Sequence, residues 1–175
     1  GPGSSTVSGG PFARGNAISP TIQHDTDVLI KIATVGGCGS DVHYYAHGRI
    51  GTQVVDYPFV IGHEAAGTVV ETGPGVTTVT PGQRIALDPA VSCGNCDQCR
   101  SGRVHTCRSL RFMGCPGQLD GCLAEYVVLP EGSCYPVPEH VTFVQATLSE
   151  PLAIAVYSVE RAPLTSGAAV AILGV

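Results

Sequence analysis

The sequence predicts a mainly β domain of barrel or sandwich form, with few short helices and one cysteine-rich lobe. Three observations carry this. From Asp27 onward, short apolar stretches alternate with Gly, Pro, Asn and Asp, the spacing of a β domain rather than of a helical bundle. Four of the eight cysteines fall within fifteen residues, between Cys93 and Cys107. Helix signals are confined to two places, one near residue 40 and one near residue 152.

In chain order, Val28-Leu29-Ile30-Lys31-Ile32-Ala33-Thr34-Val35 reads as the first strand, followed by a short helix from Ser40 to about His47. Strands are then expected at Val69-Val70, Arg84-Ile85-Ala86-Leu87 and Ala124 to Leu129. Gly73-Pro74-Gly75, Pro81-Gly82 and Pro130-Glu131-Gly132 supply the intervening turns. A second helix is expected from Leu152 to Arg161, with Pro151 at the first helical position, where a missing N–H costs nothing. The run Gly167 to Val175, small and then apolar with a late glycine, reads as a buried parallel strand.

Composition narrows the classes. The chain has 175 residues, 43% hydrophobic and 13% charged, a globular balance sufficient for one domain, or one domain plus part of another. A net charge of -5 disfavours a general nucleic-acid binder, and no apolar run approaches the ~18 residues that a membrane span requires. Gly1-Pro2-Gly3-Ser4 looks like a cleaved-tag remnant, and residues 1–22 are treated as an irregular lead-in. No signal-peptide pattern is present, and a cytoplasmic location is expected.

Cys93-Gly94-Asn95-Cys96-Asp97-Gln98-Cys99, with Cys107 eight positions on, can surround one tetrahedral ion with four thiolates. A closed shell of four cysteines is the arrangement of structural zinc. The lobe, at about residues 90–112, holds few apolar side chains, so a metal supplies the ordering that a core cannot. An iron–sulfur cluster would show a tighter final spacing followed by Pro, whereas Arg108 follows Cys107. Arg100, Arg103, Arg108 and Arg111 read as a solvated surface that offsets thiolate charge.

A second constellation joins Cys38 to His63 and Glu64. One thiolate, one imidazole and one carboxylate leave a fourth position open, as catalytic zinc needs. Taken alone, a single Cys is as readily a buried small residue and a single His a bonded polar one.

Longer motifs decide between these readings. The run Gly62-His63-Glu64-Ala65-Ala66-Gly67 through Val76 resembles the zinc signature of the medium-chain alcohol and polyol dehydrogenases. Cys38-Gly39-Ser40-Asp41, the Cys93 lobe, Asp120-Gly121-Cys122 to Tyr126, and Ser149-Glu150-Pro151 follow in the order of that family. The resemblance covers about residues 27–175 and is strongest to the sorbitol (L-iditol) and xylitol dehydrogenases. It rests there on Val42-His43-Tyr44-Tyr45, His47-Gly48-Arg49-Ile50-Gly51 and Glu150.

The resemblance implies a GroES-like catalytic domain over residues 23–165 and the first strand of a truncated Rossmann domain over 166–175. It implies one catalytic zinc on Cys38, His63 and Glu64, with Glu150 beside it, and one structural zinc on Cys93, Cys96, Cys99 and Cys107. Ser40 and His43 match proton-relay positions. Asp41 is expected to orient His63 and also to cap a helix start. Tyr44, Arg49 and Phe112 are candidates for the substrate wall, and Cys115, Cys122 and Cys134 are expected to be buried small residues. The implied reaction is oxidation of a polyol's secondary alcohol with hydride transfer to NAD. A related dehydrogenase of threonine, butanediol or a sugar is the near alternative, and a non-catalytic zinc module the distant one. A homo-oligomer is implied for the longer protein, and this portion is expected to be inactive alone. Two departures stand out: Gly37 sits where relatives carry a bulky apolar residue, and Pro11 to Gln23 does not resemble the family's opening hairpin, which leaves a sheet edge open to association.

Overall fold

The computed structural model describes residues 20–173, so the expectations for residues 1–19 lie outside the described residues. A five-stranded antiparallel sheet forms the core, with strand order β8-β1-β4-β5-β9. Its members are β1 (Asp27–Val35), β4 (Ala65–Thr72), β5 (Arg84–Leu87), β8 (Tyr126–Pro130) and β9 (Cys134–Pro136). Two small hairpin-like pairs stand beside it, β2 (Arg49–Ile50) with β3 (Gln53–Val54) and β6 (Ala90–Val91) with β7 (Arg111–Phe112).

β1 and β4 are the central pair, and their register slips twice, between Leu29 and Ile30 and between Ile32 and Thr34. Such bulges add twist and bend a sheet. Val28 and Ile30 of β1 face Leu129 and Val127 of β8 in register. All four are buried in one cluster with Val69, Ile85, Leu87, Met113 and Cys122. The segment after β7 therefore packs over the apolar face of the sheet. A smaller cluster joins Ala66 and Ala86 to Ala146 of α3 (Phe143–Thr147), where small side chains let the helix approach.

The strand expected at residues 84–87 has those bounds, and the one at 28–35 differs by a single residue. The pair Val69-Val70 lies inside a longer strand, and the last expected strand begins at Tyr126 rather than Ala124. α1 spans Gly39–His47, starting one residue before the expected Ser40, and Gly48 closes it in the left-handed region at φ 66°. α4 spans Ser149–Arg161, so Pro151 occupies its third position rather than its first. The first turn leaves several N–H groups without helical partners, so that position also tolerates proline.

Two features differ from expectation. α3 was not anticipated, although Thr142 and Gln145 have the spacing of a capping box: Thr142 N donates to Gln145 Oε1 at 2.8 Å, and Gln145 N to Thr142 Oγ1 at 3.2 Å. The strand expected over Gly167 to Val175 is not formed over its described residues, and Ile172 and Leu173 stand 74% and 94% exposed. A strand exists through a hydrogen-bonded neighbour, and among the described residues none accompanies residues 168–173. α4 likewise contributes no buried residue, although Leu152, Ile154, Val156 and Val159 are apolar.

Candidate metal centres

The antiparallel register of β1 and β4 places Val35, at the end of one strand, opposite Ala65, at the start of the other. Cys38 lies three residues beyond the first and His63-Glu64 immediately precede the second. Residues 25 apart in sequence thus meet at one sheet end. The donor atoms of Cys38, His63 and Glu64 lie within 4.8 Å of one another.

Several contacts hold this convergence. Asp41 Oδ2 accepts from Cys38 N at 3.1 Å, and Asp41 Oδ1 accepts from Gly62 N at 3.1 Å, so one buried carboxylate ties both ligand segments together. Its Oδ1 stands 3.8 Å from His63 Nδ1, too long for a direct hydrogen bond. The helix-capping role expected of Asp41 is therefore present, and its influence on His63 runs through the backbone at Gly62. Gly36 N donates to Glu64 O at 2.7 Å. A Cβ at Gly36 would collide with Glu64 Oε2, so the approach of the two segments requires glycine there. Gly62 has φ 95°, and its carbonyl accepts from Cys122 N at 2.9 Å, which pins the segment before His63 to the loop after β7.

The other expected residues distribute around this point. Phe112 on β7 is half-buried, with its ring 5.5 Å from that of His63. Glu150 lies in the first turn of α4 and outside the set of three converging donors. Burial raises its carboxyl pKa, His63 pulls it back, and Glu64 and Asp88 raise it further, which places it within electrostatic reach of the cluster. Ser40 is half-buried on α1 and His43 is exposed, its ring 4.4 Å from that of His47.

Tyr44 and Arg49 both bond to the β2–β3 hairpin. Tyr44 is buried and its hydroxyl donates to Gln53 Oε1 at 2.9 Å. Burial, then Cys115 and Asp41, push its pKa up to about 12. Arg49 donates through Nε and Nη2 to Gly51 O at 3.0 and 2.5 Å, bracing the β2–β3 turn. Cys115, Cys122 and Cys134 are buried as expected, and burial pushes the last two to about 12. Cys115 does more than fill space. Its Sγ accepts from Gln53 Nε2 at 2.9 Å and Gln118 Nε2 at 3.1 Å, and Gln118 Oε1 accepts from Phe112 N at 2.8 Å. Sequence reasoning missed this network because no spacing rule joins residues 53, 115 and 118.

The lobe is an excursion between β6 and β7, whose pairing closes its base. The sulfurs of Cys93, Cys96, Cys99 and Cys107 lie within 4.8 Å of one another, with α2 (Asp97–Arg100) and a 3-10 turn at Val104–Thr106 between them. Backbone N–H groups of Arg108 and Cys99 aimed at Cys96 lower its pKa to about 6, and Cys93 N, 3.2 Å from Cys107 Sγ, lowers that thiol as well. Burial raises Cys99 to about 11. N–H groups pointing at sulfur favour thiolate, the form that binds metal. Across the lobe, Arg108 clamps Asp97 through Nε at 2.5 Å and Nη2 at 2.8 Å, holding the Asp97 carboxyl down at about 2. Both donor sets fit zinc, the closed one through four thiolates and the open one through Cys, His and Glu.

The family model for the alcohol dehydrogenase GroES-like domain matches residues 24–139, and the chain belongs to that family. Among curated relatives, a probable D-xylulose reductase A of Aspergillus terreus is 40% identical over 155 residues, 89% of this chain and 44% of that protein. The sorbitol dehydrogenase of Bacillus subtilis is 39% identical over 155 residues, 89% of this chain and 43% of that protein. Among solved structures, L-idonate 5-dehydrogenase of Escherichia coli superposes with TM-score 0.74 at 30% identity over 81% of this chain and 41% of that one. A protein of Sinorhizobium meliloti described as a zinc-binding dehydrogenase, solved with NADP, gives 0.70 at 37% identity over 84% and 41%. The chain spans less than half the length of the relatives it matches.

Proposed function

We propose that the protein to which this chain belongs oxidises a secondary alcohol of a small polyol to a ketone and passes hydride to a nicotinamide dinucleotide, expected to be NAD. The convergence of Cys38, His63 and Glu64 at one sheet end carries the reading. The named relatives support it: at about 40% identity they include a xylulose reductase and a sorbitol dehydrogenase.

In this reading Cys38, His63 and Glu64 bind a catalytic zinc, and Cys93, Cys96, Cys99 and Cys107 a structural one. Bound at the open site, zinc supplies Lewis acidity that lowers the pKa of an alcohol hydroxyl and favours hydride loss from its carbon. Asp41 keeps the two ligand segments in register. Phe112, packed beside His63, forms an apolar wall that limits water. Ser40 and His43, three residues apart on α1 and hence on one face, pass the hydroxyl proton outward, since His43 reaches solvent. Glu150 is an additional carboxylate at the rim, able to hold a water or to join the ligands. Tyr44 and Arg49 act on the substrate side through the β2–β3 hairpin that they brace.

Residues 23–165 form the catalytic domain in this reading, and residues 166–175 open the nucleotide-binding domain. The location is cytoplasmic and the longer protein a homo-oligomer, with no role for nucleic acid or membrane. Among the described residues no helix is long and apolar enough to cross a membrane.

The test is an assay of the full-length protein with sorbitol and xylitol against threonine and butanediol, each with NAD and NADP. Polyol-dependent reduction of the cofactor, lost by about a thousandfold or more in His63→Ala, is expected. Protein that holds both zincs and reduces neither cofactor with any alcohol would overturn the reading.

A further inference from the structure

α1 carries a second imidazole one turn beyond His43. His43 and His47 stand at i and i+4, both exposed, with ring centroids 4.4 Å apart and planes inclined at 57°. Neither belongs to the two converging donor sets. Two histidines at this helical spacing can chelate one ion from a single face. A metal bound ~2.0–2.1 Å from a ring nitrogen lies about 3 Å from the ring centroid, so centroids 4.4 Å apart suit two neighbouring positions of one coordination sphere, at roughly a right angle.

The surroundings favour a cation. His47 is the last residue of α1, at the carbonyl end of the helix, where the macrodipole is negative. The adjacent Arg49 guanidinium is turned to the Gly51 carbonyl. We infer that His43 and His47 form a third metal site, an exposed two-imidazole chelate for a borderline divalent cation such as Zn2+, Ni2+ or Cu2+. Imidazole donors select this group over Mg2+ and Ca2+, which take oxygen ligands. Resting on the proposed relay role of His43, the site is inhibitory: an ion on that ring removes the nitrogen that would carry the proton.

The chain saturated with zinc at both other centres is titrated with Ni2+ by calorimetry, with His43→Gln, His47→Gln and, as a surface control, His140→Gln. One further equivalent is expected to bind, without the charge-transfer absorption that thiolate ligation would give. Affinity is expected to fall at least about tenfold in either helix variant and to be unchanged in the control. Both substitutions lie on exposed positions and leave the core untouched. No further equivalent, or one that survives in either helix variant, overturns the site. In the full-length enzyme, excess Zn2+ is then expected to inhibit alcohol oxidation, and to do so more weakly in His47→Gln, whose activity without added metal is unchanged. Binding lost in both variants while excess metal leaves turnover unaffected would support the site and overturn the relay role of His43.

Discussion

The two donor clusters of this chain are assembled by opposite means. The Cys93–Cys107 lobe brings its four sulfurs together within fifteen residues, and its base is the two-residue pairing of β6 with β7. Cys38, His63 and Glu64 are brought together by the β1–β4 register, which is anchored in the main core by Val28, Ile30 and Val69. The lobe has little apolar surface to bury, and in the proposed reading an ion held by its four thiolates supplies its order. The open site is held by the sheet, by Asp41 and by glycine at position 36, whether or not an ion is bound. A scaffold that positions ligands in advance leaves the metal free to do chemistry, whereas a lobe that needs the metal to fold spends its binding energy on structure.

The largest effect that separates the two regions is expected from Cys96→Ser. Structural zinc in comparable small sites is worth about 10–16 kcal/mol of binding energy, so losing a ligand unfolds the lobe while the sheet persists. Trypsin reads this directly, because Arg100, Arg103 and Arg108 lie in the lobe. Rapid cleavage there with unchanged β-sheet circular dichroism is expected, and resistance of the variant would count against metal-dependent order.

Gly36→Val is expected to do the reverse. Its side chain collides with Glu64, an overpacking cost of about 1–3 kcal/mol. Elemental analysis should show one zinc per chain, still held by the lobe. Asp41→Ala, which removes the acceptor for Cys38 N and Gly62 N, is expected to cost about 1–2 kcal/mol in urea unfolding. Asp41→Asn should recover part of this, because it keeps one acceptor oxygen.

Thiol reactivity is expected to sharpen the contrast without any change in stability. In metal-free chain near neutral pH, the lobe cysteines stand in disordered backbone open to reagent, while Cys122 and Cys134, raised to about 12 by burial, stay protonated. Alkylation followed by peptide mass mapping should find the four lobe cysteines labelled first and Cys122 and Cys134 last.

The smallest effect is expected from Arg108→Gln, since the Asp97–Arg108 pair is exposed. Asp97 has a depressed pKa, so the contribution of the pair is present above the ordinary carboxylate range and lost as pH falls toward about 2. Lobe stability in zinc-loaded chain should therefore differ slightly between wild type and variant above about pH 4, and the difference should fade as pH falls below it.

What could be read from the sequence follows the same division. The lobe was legible because its information is local: ligand type and spacing lie in one window. The main strands were legible because β-branched runs and Gly-Pro turns mark them. The open site needed long motifs, since nothing local says that position 38 meets position 63; that is a consequence of strand register. Tyr44 and Arg49 are expected at the substrate wall from the motif alone, and their hydrogen bonds to Gln53 and the Gly51 carbonyl, which brace the β2–β3 hairpin, had no local signal. The same limit hid the Gln53–Cys115–Gln118 network. Residues 168–173 show the converse case, in which a strand-like sequence stays unpaired among the described residues because a strand needs a partner that local pattern does not provide.

Hydrogen exchange on zinc-loaded and chelated chain, resolved by peptide, tests the contrast most directly. Chelation is expected to remove protection from residues 93–109 while β1, β4 and the segments around Cys38 and Gly62 keep theirs. Equal loss of protection in both regions would contradict the account, because it would mean that the open site, like the lobe, is built by its metal rather than by the sheet.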